Sequence, residues 1–240
     1  MPERKFPSPE EFLEGQLLLI NKPLDWTSFQ AVHFIRGCLR RYTGQRKIKV
    51  GHAGTLDPLA TGLLLVCTGR KTKQIEQFMG LSKVYTGRIQ LGASRPSHDR
   101  ETEIERRFET TGLSGVHIQT AMSTFSGAID QIPPVFSAIR KQGKRLYESA
   151  RKGTVDEGEL QPRSVFIEEF KMEAYDLENA LLTFSLKCSK GTYVRSLARD
   201  LGIALHNGAY LDALCRTRIG PYDLSEALEP KAWASAIPRE

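Results

Sequence analysis

An α+β domain with a long mixed, largely antiparallel sheet is the fold class this sequence predicts. Apolar runs of strand length interleave with helix-length stretches, yet regular βαβ units of about thirty residues do not recur. Neither a G-x-G-x-x-G nor a Walker sequence occurs, so a nucleotide-cofactor sheet lacks its anchor. No internal repeat or low-complexity tract is present. The 240 residues allow one large domain or two small ones, with ample core.

Residues 1–16 read as a polar lead-in containing three prolines. Leu17–Ile20 is a short apolar run stopped by Asn21-Lys22-Pro23, which predicts a strand entering a turn. Thr27 and Ser28 can cap the following helix, in which Phe29, Val32, His33 and Leu39 recur at helical spacing. Leu63–Thr68 reads as a buried strand, and Gly69–Lys73 turns into a helix that runs to Met79. Ser82–Leu91 alternates as a strand. Its glycines at 87 and 92 predict a bend or a close approach by another backbone.

A polar stretch follows over 94–103, then a short helix at 113–122 and a segment from Phe125 to Gln131 that leads to Pro133-Pro134. Residues 153–161 read as a linker, and Pro162–Tyr175 mixes strand and edge features. Leu181–Cys188 is a clearer strand, with Leu182, Phe184 and Leu186 alternating. A helix is expected from about Val194 to Gly202, and a last main strand from Tyr210 to Ile219. Gly220-Pro221 breaks that strand, and DLSEAL starts a short terminal helix.

One stretch organises the chain: Val50-Gly51-His52-Ala53-Gly54-Thr55-Leu56-Asp57-Pro58-Leu59-Ala60-Thr61-Gly62. It packs one carboxylate, one imidazole and two hydroxyls among three glycines and a proline, and runs directly into Leu63-Leu64-Leu65-Val66. A core helix would not tolerate that density of Gly and Pro, and a surface linker has no need of the apolar run. The expected structure is a tight loop pinned against the core, presenting Asp57 into a cleft.

Charge narrows the partners. The formal net charge is +6, from 34 basic and 28 acidic residues, which permits a polyanion but does not require one. Clustering says more. Arg36, Arg40, Arg41, Arg46, Lys47 and Lys49 occur within 36–49 without an acid, immediately before the Asp57 loop, and predict phosphate contact. A second basic run, Arg140, Lys141, Lys144, Arg145, Arg151 and Lys152, surrounds only Glu148 and reads as a basic flap carrying a short helix around Leu146, Tyr147, Ala150 and Arg151. Cys38, Cys67, Cys188 and Cys215 form no C-x-x-C pair and are expected as free thiols in a reducing compartment. No apolar run approaches the roughly 18 residues of a membrane span, and the N-terminus lacks a signal's apolar core. A cytoplasmic location is the expectation.

GHAGTLDPLATG, followed by GRKTK, resembles the signature of the TruB family of tRNA pseudouridine synthases. The likeness extends to NKPxxxTS at residues 21–28, to IPPVFSAIRKQGKRLY with its PP-x-x-SA-x-x-x-GxxxY pattern, to KGTYVRSLARDLG and to LDALCRT. It runs from Leu17 to about Pro221. It implies a pseudouridine synthase catalytic domain over 17–221 with an RNA-gripping insertion at 120–155. The flanks would be the lead-in and a short tail, 222–240, with no C-terminal PUA domain. The 94–103 segment departs from the family's acidic form, and Asp99 is the residue there that can hold the nearby loop.

The resemblance also implies the activity and the site. The reaction is isomerisation of the uridine at position 55 in the T loop of tRNA, on a flipped-out base, with no cofactor and no metal. Asp57 would be the catalytic residue, adding to C1′, taking the 2′ proton or adding to C6 of the base. Arg195 would be its counter-charge and Tyr85 the ring that stacks on the target base. Tyr193 would pack against that pocket, and Leu214 would supply its apolar wall. His52 would lie near the displaced base. Lys73 would contact substrate phosphate or support the loop, and Lys22 and Pro23 would brace the loop, against the alternative of a strand-end turn with a solvent-facing lysine.

A lone carboxylate with basic flanks argues against a glycosidase that needs two carboxylates. A non-catalytic tRNA-binding or tRNA-folding protein is the alternative. The expected protein acts as a monomer on tRNA, away from membranes.

Overall fold

The computed structural model describes residues 6–136, 140–141, 144–145 and 160–238. The chain divides into two compact units, residues 1–84 with 215–240 and residues 85–214.

The first unit opens on helix α1, Pro9–Glu14, with Ser8 as N-cap in a reciprocal capping box with Glu11. Strand β1, Leu17–Lys22, follows, then helix α2, Ser28–Thr43, whose cap is Thr27 boxed with Gln30. Gly44, in the left-handed conformation, ends α2. Strands β2, Val50–Ala53, and β3, Ala60–Thr68, flank the predicted loop. A 3₁₀ turn over Gly69–Gln74 leads into α3, Ile75–Gly80.

Strand β3 runs antiparallel to β1 and to β2. It sets Leu17 opposite Cys67 and Lys22 opposite Gly62 in β1, and Val50 opposite Thr68 and Ala53 opposite Leu65 in β2. Its residues Leu63–Cys67 are fully buried, which explains why this strand reads as a continuous apolar run rather than an alternating one.

The stripe of α2 that faces the core is Ala31, Val32, Ile35, Cys38 and Leu39. Of the expected periodic set, Val32 and Leu39 face the core, whereas Phe29, 66% exposed, and His33, also exposed, lie off the stripe. The polar lead-in and the tail are also more than flanks. Phe12 of α1 is fully buried and Trp233, on helix α6 (Pro230–Ser235), nearly so. Their rings lie 6.1 Å apart, edge to face, and Phe6 and Tyr42 complete the cluster. Each ring buried this way contributes about 1.5–3 kcal/mol. DLSEAL forms a 3₁₀ turn, Leu224–Glu226, rather than an α-helix.

The second unit carries β4 (Lys83–Leu91, entered from the first unit), the two-residue pair β5 and β6 (Ala93–Ser94, Arg106–Arg107), α4 (Gly115–Ser123) and β7 (Gly127–Gln131). The short strands β8 (Arg140–Lys141) and β9 (Lys144–Arg145) pair in the insertion. The helix expected around Leu146–Arg151 and most of the 153–161 linker lie outside the described residues. Then come β10 (Arg163–Asp176), β11 (Leu181–Cys188), α5 (Val194–Ala204) and β12 (Ala209–Ile219), whose last residues belong to the first unit.

The strand order in this unit is β12-β4-β11-β10-β7; in the first it is β1-β3-β12, with β2 on β3 and the short β13 (Tyr222–Asp223) on β12. Gly87 permits the close approach its position predicts: a Cβ there would lie 2.5 Å from the Ala213 carbonyl. None of the four cysteines is in a disulfide, and Cys38, Cys67 and Cys188 are buried.

Candidate active site

The loop between β2 and β3 is fixed residue by residue. Leu56 is buried at 4% exposure, and its amide and carbonyl both bond the hydroxyl of Ser28, at 2.8 and 3.1 Å. The amide of Ala60 donates to the Asp57 carbonyl at 3.1 Å, closing the turn that carries the carboxylate. The amide of Asp25 donates to the Pro58 carbonyl at 2.9 Å. The half-buried side chain of Asp57 therefore sits on a backbone held from both sides.

Two buried cations hold it. Lys22, with no exposed surface, donates from Nζ to the carbonyls of Pro23 at 2.8 Å, Trp26 at 2.6 Å and Pro58 at 3.3 Å. It is a brace and not a solvent-facing lysine. Arg216, 1% exposed, donates from Nε to the Leu63 carbonyl at 2.8 Å and from its two terminal nitrogens toward Gly54 at 3.0 Å and Thr55 at 3.5 Å. Desolvation lowers the Lys22 pKa to about 8, against the opposing pull of the Asp57 and Asp25 carboxylates.

The fit between β3 and Arg216 depends on Gly62. Its φ is +102°, and a Cβ would lie within 2.4 Å of the Arg216 carbonyl.

His52 lies on β2 and is partly buried. Burial lowers its pKa first, and the Arg216 charge adds to that. The imidazole is thus biased towards its neutral form near pH 7. Lys73 is exposed on the 3₁₀ turn beyond β3. The structure thus gathers Asp57, His52, Lys22 and Arg216 around one loop. Arg216 is the member that sequence reasoning missed; its signal is the arginine of LDALCRT, two residues after Leu214.

The second unit holds the other predicted residues. Arg195, 4% exposed in the first turn of α5, donates to the carbonyls of Phe136 at 2.9 Å and Ser97 at 3.2 Å, and its Nε lies 3.6 Å from Asp99 Oδ2. Asp99 is itself buried and accepts from the Glu101 amide at 2.9 Å. The basic-looking 94–103 segment is therefore anchored on an internal ion pair, in keeping with the holding role expected of Asp99. The Tyr193 amide donates to Gln131 Oε1 at 2.7 Å, and Ser196 Oγ to the Ile132 carbonyl at 2.8 Å. The start of α5 thus ties down the root of the insertion. Tyr85 is 8% exposed on β4, and Leu214 is half-buried on β12.

The family model described as TruB family pseudouridylate synthase, N-terminal domain, matches residues 40–194. The tRNA pseudouridine synthase B of Flavobacterium johnsoniae is 50% identical over 223 residues, 92% of this chain and 96% of that protein. The protein of the same name from Bacteroides thetaiotaomicron is 45% identical, over 95% of each chain. Among solved structures, a chain of a Cbf5-Nop10-Gar1 complex is 26% identical with a TM-score of 0.66; the match covers 95% of this chain and 57% of that one. A chain of the archaeal box H/ACA sRNP Nop10-Cbf5 complex shares the fold at 24% identity and a TM-score of 0.64, with 93% and 53% covered. The chain belongs to the TruB family of pseudouridylate synthases.

Proposed function

We propose that this enzyme converts uridine to pseudouridine in tRNA, at position 55 of the T loop, with Asp57 as the catalytic carboxylate. The observation that carries the reading is the loop itself: one carboxylate on a turn whose neighbouring carbonyls are held by two buried cations. Such a mounting keeps the carboxylate in place before substrate arrives, which is where orientation contributes to rate.

The isomerisation breaks the bond from C1′ to N1, rotates the uracil and joins C1′ to C5. The C5 proton is lost and N1 gains one, so no redox partner is required. Asp57 acts by adding to C1′, by taking the 2′ proton or by adding to C6; each starts from the ionised carboxylate. Tyr85, Tyr193, Arg195 and Leu214 are the substrate-side residues of this reading, with Tyr85 stacking on the extruded base. His52 positions the displaced RNA, and Lys73 meets phosphate. The protein works as a monomer in the cytoplasm.

Unmodified tRNA tritiated at uracil C5 tests this directly. Wild type is expected to release tritium, and Asp57→Asn to lose release by roughly 10⁴-fold or more while still binding tRNA. Release by Asp57→Asn at the wild-type rate would remove Asp57 from the chemistry. Binding without release by wild type would leave a tRNA-binding or tRNA-folding protein.

A further inference from the structure

Helices α1 and α2 each close their own first turn. In α1 the Ser8 amide donates to Glu11 Oε2 at 2.7 Å, and in α2 the Thr27 amide donates to Gln30 Oε1 at 2.7 Å. Each acceptor is the third residue of its helix, reaching back to the N-cap. Helix α5 does not close on itself in this way. Its N-cap is Tyr193, whose side chain makes no cap hydrogen bond. Its third residue is Ser196, whose hydroxyl donates instead to the Ile132 carbonyl at 2.8 Å. The acceptor for the Tyr193 amide is Gln131 Oε1, again at 2.7 Å, but from the end of β7 and 62 positions away.

Gln131 is 1% exposed, at a buried position where an apolar side chain is the ordinary occupant. Its Nε2 has no hydrogen-bond partner among the described residues, a cost that an apolar side chain would not carry. The employed end is therefore the oxygen, and what the oxygen holds is the turn that carries Tyr193 and Arg195. The same turn holds the residues after Gln131. Arg195 donates to the Phe136 carbonyl at 2.9 Å, and Arg199 to the Ile132 carbonyl at 3.2 Å. The end of β7, segment 131–136 and the start of α5 thus form one block.

We propose that Gln131 is a positioning residue for the reaction. Its side-chain oxygen completes the cap of α5 and so sets the backbone from which Tyr193 and Arg195 meet the substrate. The inference rests on the proposed function, which puts those two side chains on the substrate side. Ser, Thr, Asn or Asp at the N-cap would start the helix more favourably than a tyrosine. Gln131 supplies from outside the acceptor that lets Tyr193 stand there. Misorientation at such a position slows the chemical step more than it weakens binding, because orientation contributes to rate.

The test measures tritium release, tRNA affinity and hydrogen exchange at the Tyr193 amide, under conditions where circular dichroism shows each variant folded. Gln131→Met keeps the length of the side chain and removes the acceptor. Its kcat is expected to fall by roughly 10–100-fold, with KM and tRNA affinity within about threefold, and Tyr193 exchange should quicken at least tenfold. Gln131→Glu keeps an acceptor oxygen, the one α1 uses at Glu11, and a helix N-terminus favours a carboxylate. It should recover most of kcat and the slow exchange. Glu11→Met, which removes the same bond from α1, should leave kcat unchanged. Should Gln131→Met not fold, Gln131→Asn draws the oxygen back by one methylene and carries the same expected loss.

An unchanged kcat without the acceptor overturns the proposal. So does an equal loss in Gln131→Glu, which would show that the oxygen is not what matters. A rise in KM alone would make Gln131 a binding residue, and an equal loss in Glu11→Met would make general destabilisation the cause. If wild type releases no tritium, the proposed function fails and the positioning role fails with it, while quickened exchange in Gln131→Met would still establish the cap. If wild type releases tritium and Gln131→Met matches it in kcat and exchange, the cap fails and the function stands.

Discussion

Two groups of cations in the first unit are built from the same residue types and do opposite work. Lys22 and Arg216 are buried, and main-chain carbonyls around the Asp57 loop accept their hydrogen bonds. Arg46, Lys47, Lys49 and Arg70 are exposed and, among the described residues, lack carboxylate partners. A buried charge survives only when its donors are satisfied, so the first pair is committed to structure. An exposed cation costs little to keep free and is available to a ligand. Burial and partner, more than residue type, separate a brace from a grip.

The sharpest way to break that comparison is Arg216→Met. It strands the carbonyls of Gly54 and Leu63 in a dry site. The expected loss is about 2–6 kcal/mol of stability, at about 1–3 kcal/mol for each buried group left unbonded. Chemical denaturation measures it. Activity of the fraction that remains folded should fall by about 100-fold or more, because the Asp57 turn loses its hold. Arg216→Lys should recover less than half of the stability, since an ammonium lacks the fork that reaches three carbonyls. Full recovery would mean that charge alone matters there.

Lys22 offers a pH test of intermediate size. Its pKa is about 8 in the fold against 10.5 in the free side chain. Between those values the unfolded chain binds the proton and the native state has shed it. The unfolding free energy of wild type should therefore rise with pH across that window, relative to Lys22→Met, by on the order of 3 kcal/mol. Urea unfolding of both proteins at pH 7.5 and pH 10 reads the difference. A constant gap, or one moving the other way, would show that Lys22 is not desolvated in solution.

The smallest effect belongs to the grip. Arg46→Gln alone should leave stability within about 0.5 kcal/mol. It should still flatten the salt dependence of tRNA binding by about 0.7–0.9, the share of one phosphate contact. A loss of more than about 1 kcal/mol in thermal unfolding would make Arg46 a structural residue and blur the contrast with Lys22 and Arg216.

Much of this was legible in the residues. The glycines and proline around Asp57 predicted a loop, and Leu63–Val66 predicted the buried strand after it. Thr27 caps α2 as expected, but its partner is Gln30, and Ser28, the other expected cap, bonds Leu56 instead. Helices α1 and α6 were not legible. Each has only six residues, too few to show periodicity, and each is held by one large ring, Phe12 or Trp233, whose partner lies over 200 positions away. Arg216 was missed because arginine is ordinarily a surface residue, and nothing local announces three carbonyls waiting for it.

The sequence by itself determined the α+β class, the loop that carries Asp57, the basic runs and membership of the family, because these depend on local pattern and on motif spacing. Only the tertiary structure decided that Lys22 is a brace, that Arg216 clamps the loop, that Asp99 pairs with Arg195 and that the 46–49 run lies beside the turn that starts at Gly69. The reason is physical. Whether a charge is structural or available depends on desolvation and on partners, and both are supplied by segments that only folding brings near.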